Sequence, residues 1–330
     1  MENQTYSNDM VIIKPMIVQV HQSGYRLDYI LSKLLPQYSR SQIKHWILNK
    51  KVVVNNQVST LPRKKVVYGE LIEIKYINNN DICKSEDIVP QNIPLNIIYE
   101  DNDILVINKA SNMVVHPGIG HYQGTVLNAL LYRYPSILKI SKQAGIVQRL
   151  DKDTTGLMII AKTVSAYDNL LRSFKLRKVV KEYDAIVYGK FTSNAGVVNQ
   201  PMRRHFAKRT FMSVHYTGKS AVTYYSVVEE FKAHSRVRIN LKTGRTHQIR
   251  VHMAYINHPL VGDQKYKGNF SVFDIKKMSD ELNNYLLDFN RQALHACTLQ
   301  LLHPITQVQM KWNAPLPQDI LQLIAILKKY

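Results

Sequence analysis

At 330 residues, 45 % of them apolar, the chain can build one large domain and a smaller one with real cores. Its 44 Lys and Arg against 24 Asp and Glu leave a net charge of +20, a field that draws polyanions, nucleic acid first among them. Two cysteines, Cys83 and Cys297, exclude a disulfide framework and a four-thiolate zinc site and fit a reducing compartment. No apolar run is long enough to cross a bilayer, and residues 1–16 lack the pattern of a secretory leader. The expectation is a cytoplasmic protein with no membrane partner.

The first predicted elements fall between residues 17 and 77. Leu27, Ile30, Leu31, Leu34 and Leu35 recur at helical spacing, and Pro36 stands where that helix would stop. Ser39 or Ser41 can cap a second helix carrying Ile43, Trp46 and Ile47. Lys51–Val58 reads as a tight hairpin whose turn is Asn55-Asn56, and a last strand runs Leu71–Ile74. Residues 21–80 hold ten Lys and Arg against three Asp and Glu. Arg40, Lys44 and Lys50 lie on the second helix and the turn after it. A helix presenting cations beside a hairpin can grip RNA phosphates by charge and shape.

Arg26-Leu27-Asp28, Tyr38–Ile43, Val52–Asn55 and Gly69–Ile74 together resemble the S4 RNA-binding domain. Asn49-Lys50 departs from its pattern by standing where that domain usually has glycine, and Glu70 replaces an aspartate. Asparagine can supply the left-handed backbone of a glycine, so the same small α/β fold is expected. From Asn78 to Pro94 the sequence has no sustained periodicity and reads as a linker, 78–94, ahead of a body spanning 95–330.

In that body, strand-like runs follow at Ile104–Asn108, Leu157–Ala161, Tyr183–Tyr188, Ala221–Val228 and Arg236–Leu241. Helical patterns lie near Thr125–Arg133 and Val164–Leu176. Strands outnumber helices and follow one another closely, which predicts an α+β domain on a mixed, largely antiparallel sheet.

Three segments carry chemistry. Gly145–Lys162 runs a charged, hydroxyl-rich loop, Arg149 to Gly156, directly into an apolar strand, and polar groups at the mouth of a rigid strand commonly form active sites. Lys178–Ala185 puts Tyr183 at a strand start, where its ring can stack on an unstacked base. Leu241–Met253 turns from strand to helix at Gly244 and bears Arg245, His247, Arg250 and His252. An arginine beside a carboxylate keeps it ionised and fixes its geometry.

Arg149-Leu150-Asp151 followed by Thr154-Thr155-Gly156, with Lys181-Glu182-Tyr183 and Arg245–His252, resembles the RNA pseudouridine synthases. The likeness continues through Val114–Gly118, Gly124–Leu130, His258–Asp263 and Arg291–Ala296, so with the S4-like front it covers nearly the whole chain. Met202–His205, Arg209-Thr210, Val214-His215 and Gly218–Thr223 are most similar to members acting on large-subunit ribosomal RNA. One position departs: Gln148 stands where these enzymes usually have histidine before the Arg-Leu-Asp triplet.

The resemblance implies an isomerase that breaks the glycosidic bond of specific uridines, turns the uracil and rejoins it through C5, with no cofactor. It puts Asp151 in the reacting role, as nucleophile or as base at the sugar. Arg250 pairs with Asp151, Tyr183 stacks on the target base, and Arg149 fills the space left when that base is flipped out. Leu260 or Val261 floors the pocket. Arg203, Arg204, Lys208 and Arg209, a cluster without an acid, suit RNA backbone. The implied partner is large-subunit ribosomal RNA, free or in the assembling subunit, and the expected state is a monomer.

Other classes fit poorly. Gly118–Gly124 misses the dinucleotide fingerprint by one residue, and neither a Gly-Lys-Ser/Thr phosphate loop nor a Gly-x-Ser-x-Gly elbow occurs. His247 and His252 are not at the spacing that puts two ligands on one helical face, so no metal is expected. Two readings stay open beside the main one: a synthase acting on transfer RNA, and an RNA-binding assembly factor with weak catalysis, for which Gln148 is the encouragement.

Overall fold

The computed structural model describes the chain apart from residues 1–9, 12, 14, 37, 39, 75–76, 79–87, 119–120, 142, 209 and 268–279. Two compact units, Met1–Ile88 and Val89–Tyr330, make up the molecule. Most of the linker expected over 78–94, and Cys83 within it, lies outside the described residues.

The first unit runs β1 (Met10–Val11), β2 (Met16–Ile17), α1 (Leu27–Leu34), α2 (Arg40–Leu48), β3 (Val52–Val54), β4 (Gln57–Ser59), β5 (Leu71–Ile74) and β6 (Ile77–Asn78). A sheet in the order β2-β5-β3-β4 and the pair β1-β6 accompany the two helices. The expected helical stripe is the core, with Leu27, Leu31, Ile43, Trp46 and Ile47 fully buried against Ile72. Asn55 and Asn56 take positive φ, 49° and 61°, as a two-residue hairpin turn demands. The helix-capping candidate Ser39 lies outside the described residues. The left-handed residue after α2 is Lys50, with φ 61°, and not Asn49. A side chain costs about 1 kcal/mol there, and the turn is held by Lys51 N–H donating to the Trp46 carbonyl at 2.9 Å.

The second unit begins with β7 (Ile97–Glu100), β8 (Ile104–Lys109), α3 (Val126–Arg133), β9 (Thr155–Ala161), α4 (Val164–Lys175) and β10 (Val180–Tyr188). It continues through β11 (Ala195–Asn199), β12 (Met202–Arg204), β13 (Met212–Val214), β14 (Val222–Glu230) and β15 (His234–Leu241). It ends with α5 (Gln248–Tyr255), α6 (Asp280–Asp288), β16 (Leu294–Leu302), β17 (Gln309–Asn313) and α7 (Gln318–Lys329). One sheet runs β11-β14-β15-β10-β16-β9-β8-β7, with β17 also on β16, and β12-β13 form a separate hairpin. Among the described strands only β16 with β9 pairs parallel, so the sheet is mixed and largely antiparallel, as the sequence predicts.

All seven residues of β9 are buried, which is how a strand with both faces covered reads as an unbroken apolar run. Its parallel neighbour comes very close: a Cβ on Gly156 would stand 2.3 Å from the Ala296 carbonyl oxygen, and φ there is 115°. Only glycine fits. Thr155-Gly156 therefore belongs to the strand and not to the turn before it, and Asp151 lies just ahead of the amino end of β9, a strand in the interior of the sheet.

Candidate active site

Asp151 lies on the segment Asp151–Thr154 that leads into β9, a stretch with no ladder to hold it. It is held instead by side chains reaching in from several directions. Lys109, 2 % exposed at the end of β8, donates all three ammonium protons, to the carbonyls of Ala110, Met113 and Lys152 at 2.6, 2.9 and 2.9 Å. Burial pushes its amine down to about 7, while Asp153 and Asp151 pull it up. Arg291 Nη1 donates to the Asp153 carbonyl at 3.1 Å, and Gln292 Nε2 to Thr154 Oγ1 at 3.0 Å. Thr154 N–H closes the turn on the Asp151 carbonyl at 3.1 Å.

Arg250, on the first turn of α5, meets this loop. Its Nη1 donates to Asp151 Oδ2 at 3.0 Å, while Nε and Nη2 clamp Asp263 at 2.6 and 2.8 Å. The bidentate bond fixes the guanidinium plane, so the third donor can aim at only one place. Burial opposes the charge of Arg250, but Asp263 and Asp151 outweigh it and hold the group above its usual range. Burial likewise opposes the charge of Asp263, and Arg250 holds it below the usual carboxylate range. Only Oδ2 of Asp151 is engaged by a side chain among the described residues, and its side chain is 17 % exposed.

The turn that delivers Arg250 is built by Gln248. Its Oε1 accepts from Thr243 Oγ1 and Arg245 N–H at 2.8 and 3.0 Å, and its Nε2 donates to the Val222 carbonyl and Thr223 Oγ1 at 3.0 and 2.9 Å. Residue 247, the cap of α5, is left-handed with φ 56°, a conformation costing roughly 1 kcal/mol or more outside glycine and found at functional sites. It turns the His247 ring toward Asp151, Nε2 to Oδ2 3.8 Å. His252 is spent on structure, between Thr223 Oγ1 and the Gln200 carbonyl at 2.9 and 3.0 Å.

Tyr183 lies on β10, 7 % exposed. The β10–β16 register slips beside it, so that Glu182 faces Thr298, Tyr183 faces Ala296, and Cys297 bulges. Bulges re-aim neighbouring side chains. Burial first, then the Asp151 charge, raises the phenol above its ordinary range, so it stays a proton donor. Tyr183 and Asp151 share a cleft of about 540 Å³ that Arg149, Lys175, Arg177, Lys181, Lys242 and Arg245 also line. Six cations around one carboxylate describe a trough for a polyanion. Burial pushes the Lys181 amine down. The apolar groups of the small recess next to it are Leu150, Leu241, Ile249 and Leu294; Leu260 and Val261, the expected floor, are buried outside both linings, Leu260 bridging to Val187.

The remaining candidates divide. Arg149 is exposed at the cleft, free for the role expected of it. Gln148 lines the cleft, and its Nε2 is buried with no hydrogen-bond partner among the described residues. In the first unit Arg40 is committed: Nε and Nη2 close on Asp28 at 3.2 and 2.9 Å, alongside Arg26 at 3.0 and 2.7 Å. Lys44 and Lys50 are exposed. On the β12–β13 hairpin Arg203 reaches Thr217 Oγ1 at 2.9 Å, Arg204 is exposed, and Arg209 lies outside the described residues. Phe206, at the tip, is 92 % exposed.

The sequence reading missed Lys109, the clamp role of Asp263, and the cations at Lys175, Arg177 and Lys242. Lys109 ends the apolar strand β8, which is the one signal available: a charge closing a buried run has to be satisfied there. Among the described residues, Asp101, Asp103 and His303 are grouped closely enough for a cation. Asp101 is already used by Asp103 N–H, Ile104 N–H and the Tyr99 hydroxyl, each at 2.8 Å, and Asp103 by Thr163 at 3.0 Å.

Comparison with known proteins gives consistent matches. The family model described as RNA pseudouridylate synthase matches residues 103–255, and that of the S4 domain matches 26–72. Ribosomal large subunit pseudouridine synthase D of Pasteurella multocida strain Pm70 is 54 % identical over 94 % of each chain. The protein of the same name from Escherichia coli K12 is 50 % identical over 94 % of this chain and 93 % of its own. A solved structure, human RNA Pseudouridylate Synthase Domain Containing 4, superposes with a TM-score of 0.55 at 25 % identity, covering 71 % of this chain and 93 % of that one.

Proposed function

The chain belongs to the RNA pseudouridylate synthase family, and on that footing we propose that it isomerises particular uridines of large-subunit ribosomal RNA, with Asp151 as the reacting carboxylate. The observation that carries the site is that carboxylate: one oxygen is held by Arg250, the other has no side-chain partner among the described residues, and the cleft beside it is lined by cations. The large-subunit target is supported by the names of the relatives and by the S4 match in front.

The chemistry follows from the parts. The N1–C1′ bond of uridine breaks, the uracil turns, and C5 bonds to C1′; C5 gives up its proton and N1 gains one, so atoms balance without any cofactor. Asp151 starts the sequence, as nucleophile or as the base that removes a sugar proton, with its Oδ2 held in place by Arg250. Tyr183 stacks on the uracil and, protonated, can hand on a proton. Arg149 occupies the space that the flipped base leaves, offsetting an unstacking cost of about a few kcal/mol. Arg203, Arg204 and Arg209, with Lys44 and Lys50 in the S4 domain, are the proposed backbone contacts; Arg40, expected among them from the sequence, is paired with Asp28 and adds little. We assign residues 17–77 to RNA binding, 78–94 to the linker and 95–330 to catalysis, in a monomer of the cytoplasm. No helix among the described residues is long and apolar enough to cross a membrane.

The test is a pseudouridine map of ribosomal and transfer RNA from cells lacking the protein, complemented with wild type or Asp151→Ala. Large-subunit sites that vanish and return only with wild type are the expected result. Sites that return with Asp151→Ala remove Asp151 from the reaction, and changes confined to transfer RNA overturn the target.

A further inference from the structure

Between the β12–β13 hairpin and Asp151 lies Tyr266, which the reaction described above does not use. Its hydroxyl accepts the Met212 N–H at 2.9 Å and bonds to His247 Nδ1 at 2.7 Å. Its ring lies against the Arg250 guanidinium, 5.1 Å from the ring centroid, and meets Phe211 and His247 edge-on at 5.6 and 5.5 Å. Met212, Val214 and Tyr266 pack on the buried Met202, Ala221 and Val251, so the hairpin, the tyrosine and α5 share one small core.

Met212 sets the direction of the first bond in this chain, and the phenol hydrogen that remains points to the second. An amide N–H can only donate, so the Tyr266 oxygen accepts from Met212. Its own hydrogen then has one acceptor among the described residues, His247 Nδ1. With that hydrogen on it, Nδ1 carries no proton of its own, and the neutral imidazole holds its hydrogen on Nε2. Nε2 is the atom that faces Asp151 Oδ2, at 3.8 Å. The charged groups around the ring are Asp151, Arg250, Lys265 and Asp263. Burial holds the imidazole below its usual range, with Arg250 and Lys265 acting in the same direction against Asp151.

We infer that Tyr266 and His247 are positioning residues forming a one-way relay, Met212 N–H to Tyr266 oxygen, Tyr266 O–H to His247 Nδ1, His247 Nε2–H toward Asp151 Oδ2. The inference rests on the role proposed for Asp151. At 3.8 Å the last link is too long for a hydrogen bond, and such links commonly tighten only once substrate is bound. RNA seated on the hairpin acts on the strand that carries Met212 and closes the relay. Oδ2 is then held by Arg250 and His247 together, and Oδ1 is the oxygen left to react.

The relay is tested by ¹⁵N NMR of the histidine rings in the full-length protein, with His247 assigned by its loss in His247→Gln, and by single-turnover kinetics on ribosomal RNA. His247 in the wild type should be neutral and protonated on Nε2. Tyr266→Phe keeps the ring on Arg250 but removes the hydroxyl; it should release the tautomer and lower the rate by about tenfold or more, as a misplaced reacting group does, with RNA affinity unchanged. His247→Gln, which retains an N–H donor, should keep more activity than His247→Leu. A wild-type ring protonated on Nδ1, or Tyr266→Phe with the wild-type rate, overturns the relay. A wild-type protein that forms no pseudouridine overturns the catalytic reading instead, and the tautomer still decides the relay.

Discussion

Arg-Leu-Asp occurs twice, as Arg26-Leu27-Asp28 in the first unit and Arg149-Leu150-Asp151 in the second. In both the leucine is buried. Asp28, 3 % exposed, accepts two bonds on each oxygen, from Arg26 of its own triplet and from Arg40. Burial opposes its charge, but these bonds outweigh it and hold the carboxyl below the usual range. Asp151 takes one arginine bond, on Oδ2, and Arg149 turns to the cleft with no bond to a carboxylate among the described residues. Asp28 is saturated, whereas Asp151, with one oxygen unpartnered by any side chain among the described residues, is the one proposed to react. The tripeptide does not decide between them; the guanidinium donors brought to it do.

The sharpest way to break this comparison is to remove the charge from each triplet. Asp151→Asn should lower turnover by roughly three orders of magnitude or more, the upper range for a group acting directly in the chemistry, with the melting temperature unchanged or raised. Single-turnover pseudouridine formation and calorimetry check it. An Asp151→Asn enzyme within tenfold of wild type would make the second triplet as structural as the first.

The backbone under each aspartate differs too. Asp28 lies in the first turn of α1, where the helix fixes it. Asp151 lies on a loop, and Lys109 supplies what a ladder otherwise would. Lys109→Met keeps the volume but strips three carbonyls of their donor. The expected loss is about a hundredfold in rate, from misplacement of the reacting group, and about 2–3 kcal/mol of stability. A variant as active as wild type would show that the loop holds itself.

Much of this was legible in sequence, for local reasons. The stripe from Leu27 to Leu35, the Asn55-Asn56 turn and the run into β9 are periodicity and turn chemistry, which each segment states alone. The family resemblance set Arg250 beside Asp151, and the fold has its Nη1 on Oδ2 at 3.0 Å. What stayed hidden depends on distant segments meeting. Asp263 appears only as the end of His258–Asp263 until Arg250 folds onto it. Lys109 reads as a strand's solvated end until the loop carbonyls surround it. The Arg149–Arg245 trough gathers cations from separate stretches of chain, and no window of sequence contains it. Lys50 in place of Asn49 is subtler: the sequence told where a left-handed residue was needed, within one position.

Removing Asp28 tests the structural triplet. Asp28→Ala leaves Arg26 and Arg40 facing each other, and because both are nearly half exposed the expected cost is discounted to about 1–2 kcal/mol. It should fall on the first unit: calorimetry or proteolysis should register it while the rate at saturating RNA stays near wild type. The sign of the pH effect follows. A carboxyl depressed on folding contributes stability that is present above its unfolded pKa and lost as pH falls through the folded value. Wild type should thus lose stability in the acid range below the ordinary aspartate pKa, and Asp28→Asn should lose less. Equal acid sensitivity in the two proteins would mean that the Arg26–Arg40 clamp contributes nothing.

The smallest effect separates arginines by whether their charge is already answered. Arg26 and Arg40 share the one negative charge of Asp28, and with both guanidiniums held on its oxygens neither is free to close on a phosphate. Arg204 is exposed on the hairpin with no carboxylate partner among the described residues. Each phosphate neutralised by a free cation steepens the fall of log affinity with log salt by about one. Arg204→Ala should therefore weaken RNA binding about threefold to tenfold at moderate salt and reduce the salt slope by about one, with rate at saturation and melting temperature unmoved. Arg26→Ala should do the opposite, lowering the melting temperature of the first unit with the slope intact. If Arg204→Ala leaves the slope unchanged, the hairpin does not touch RNA backbone, and the cleft cations at Lys175, Arg177 and Lys242 are the ones that grip it.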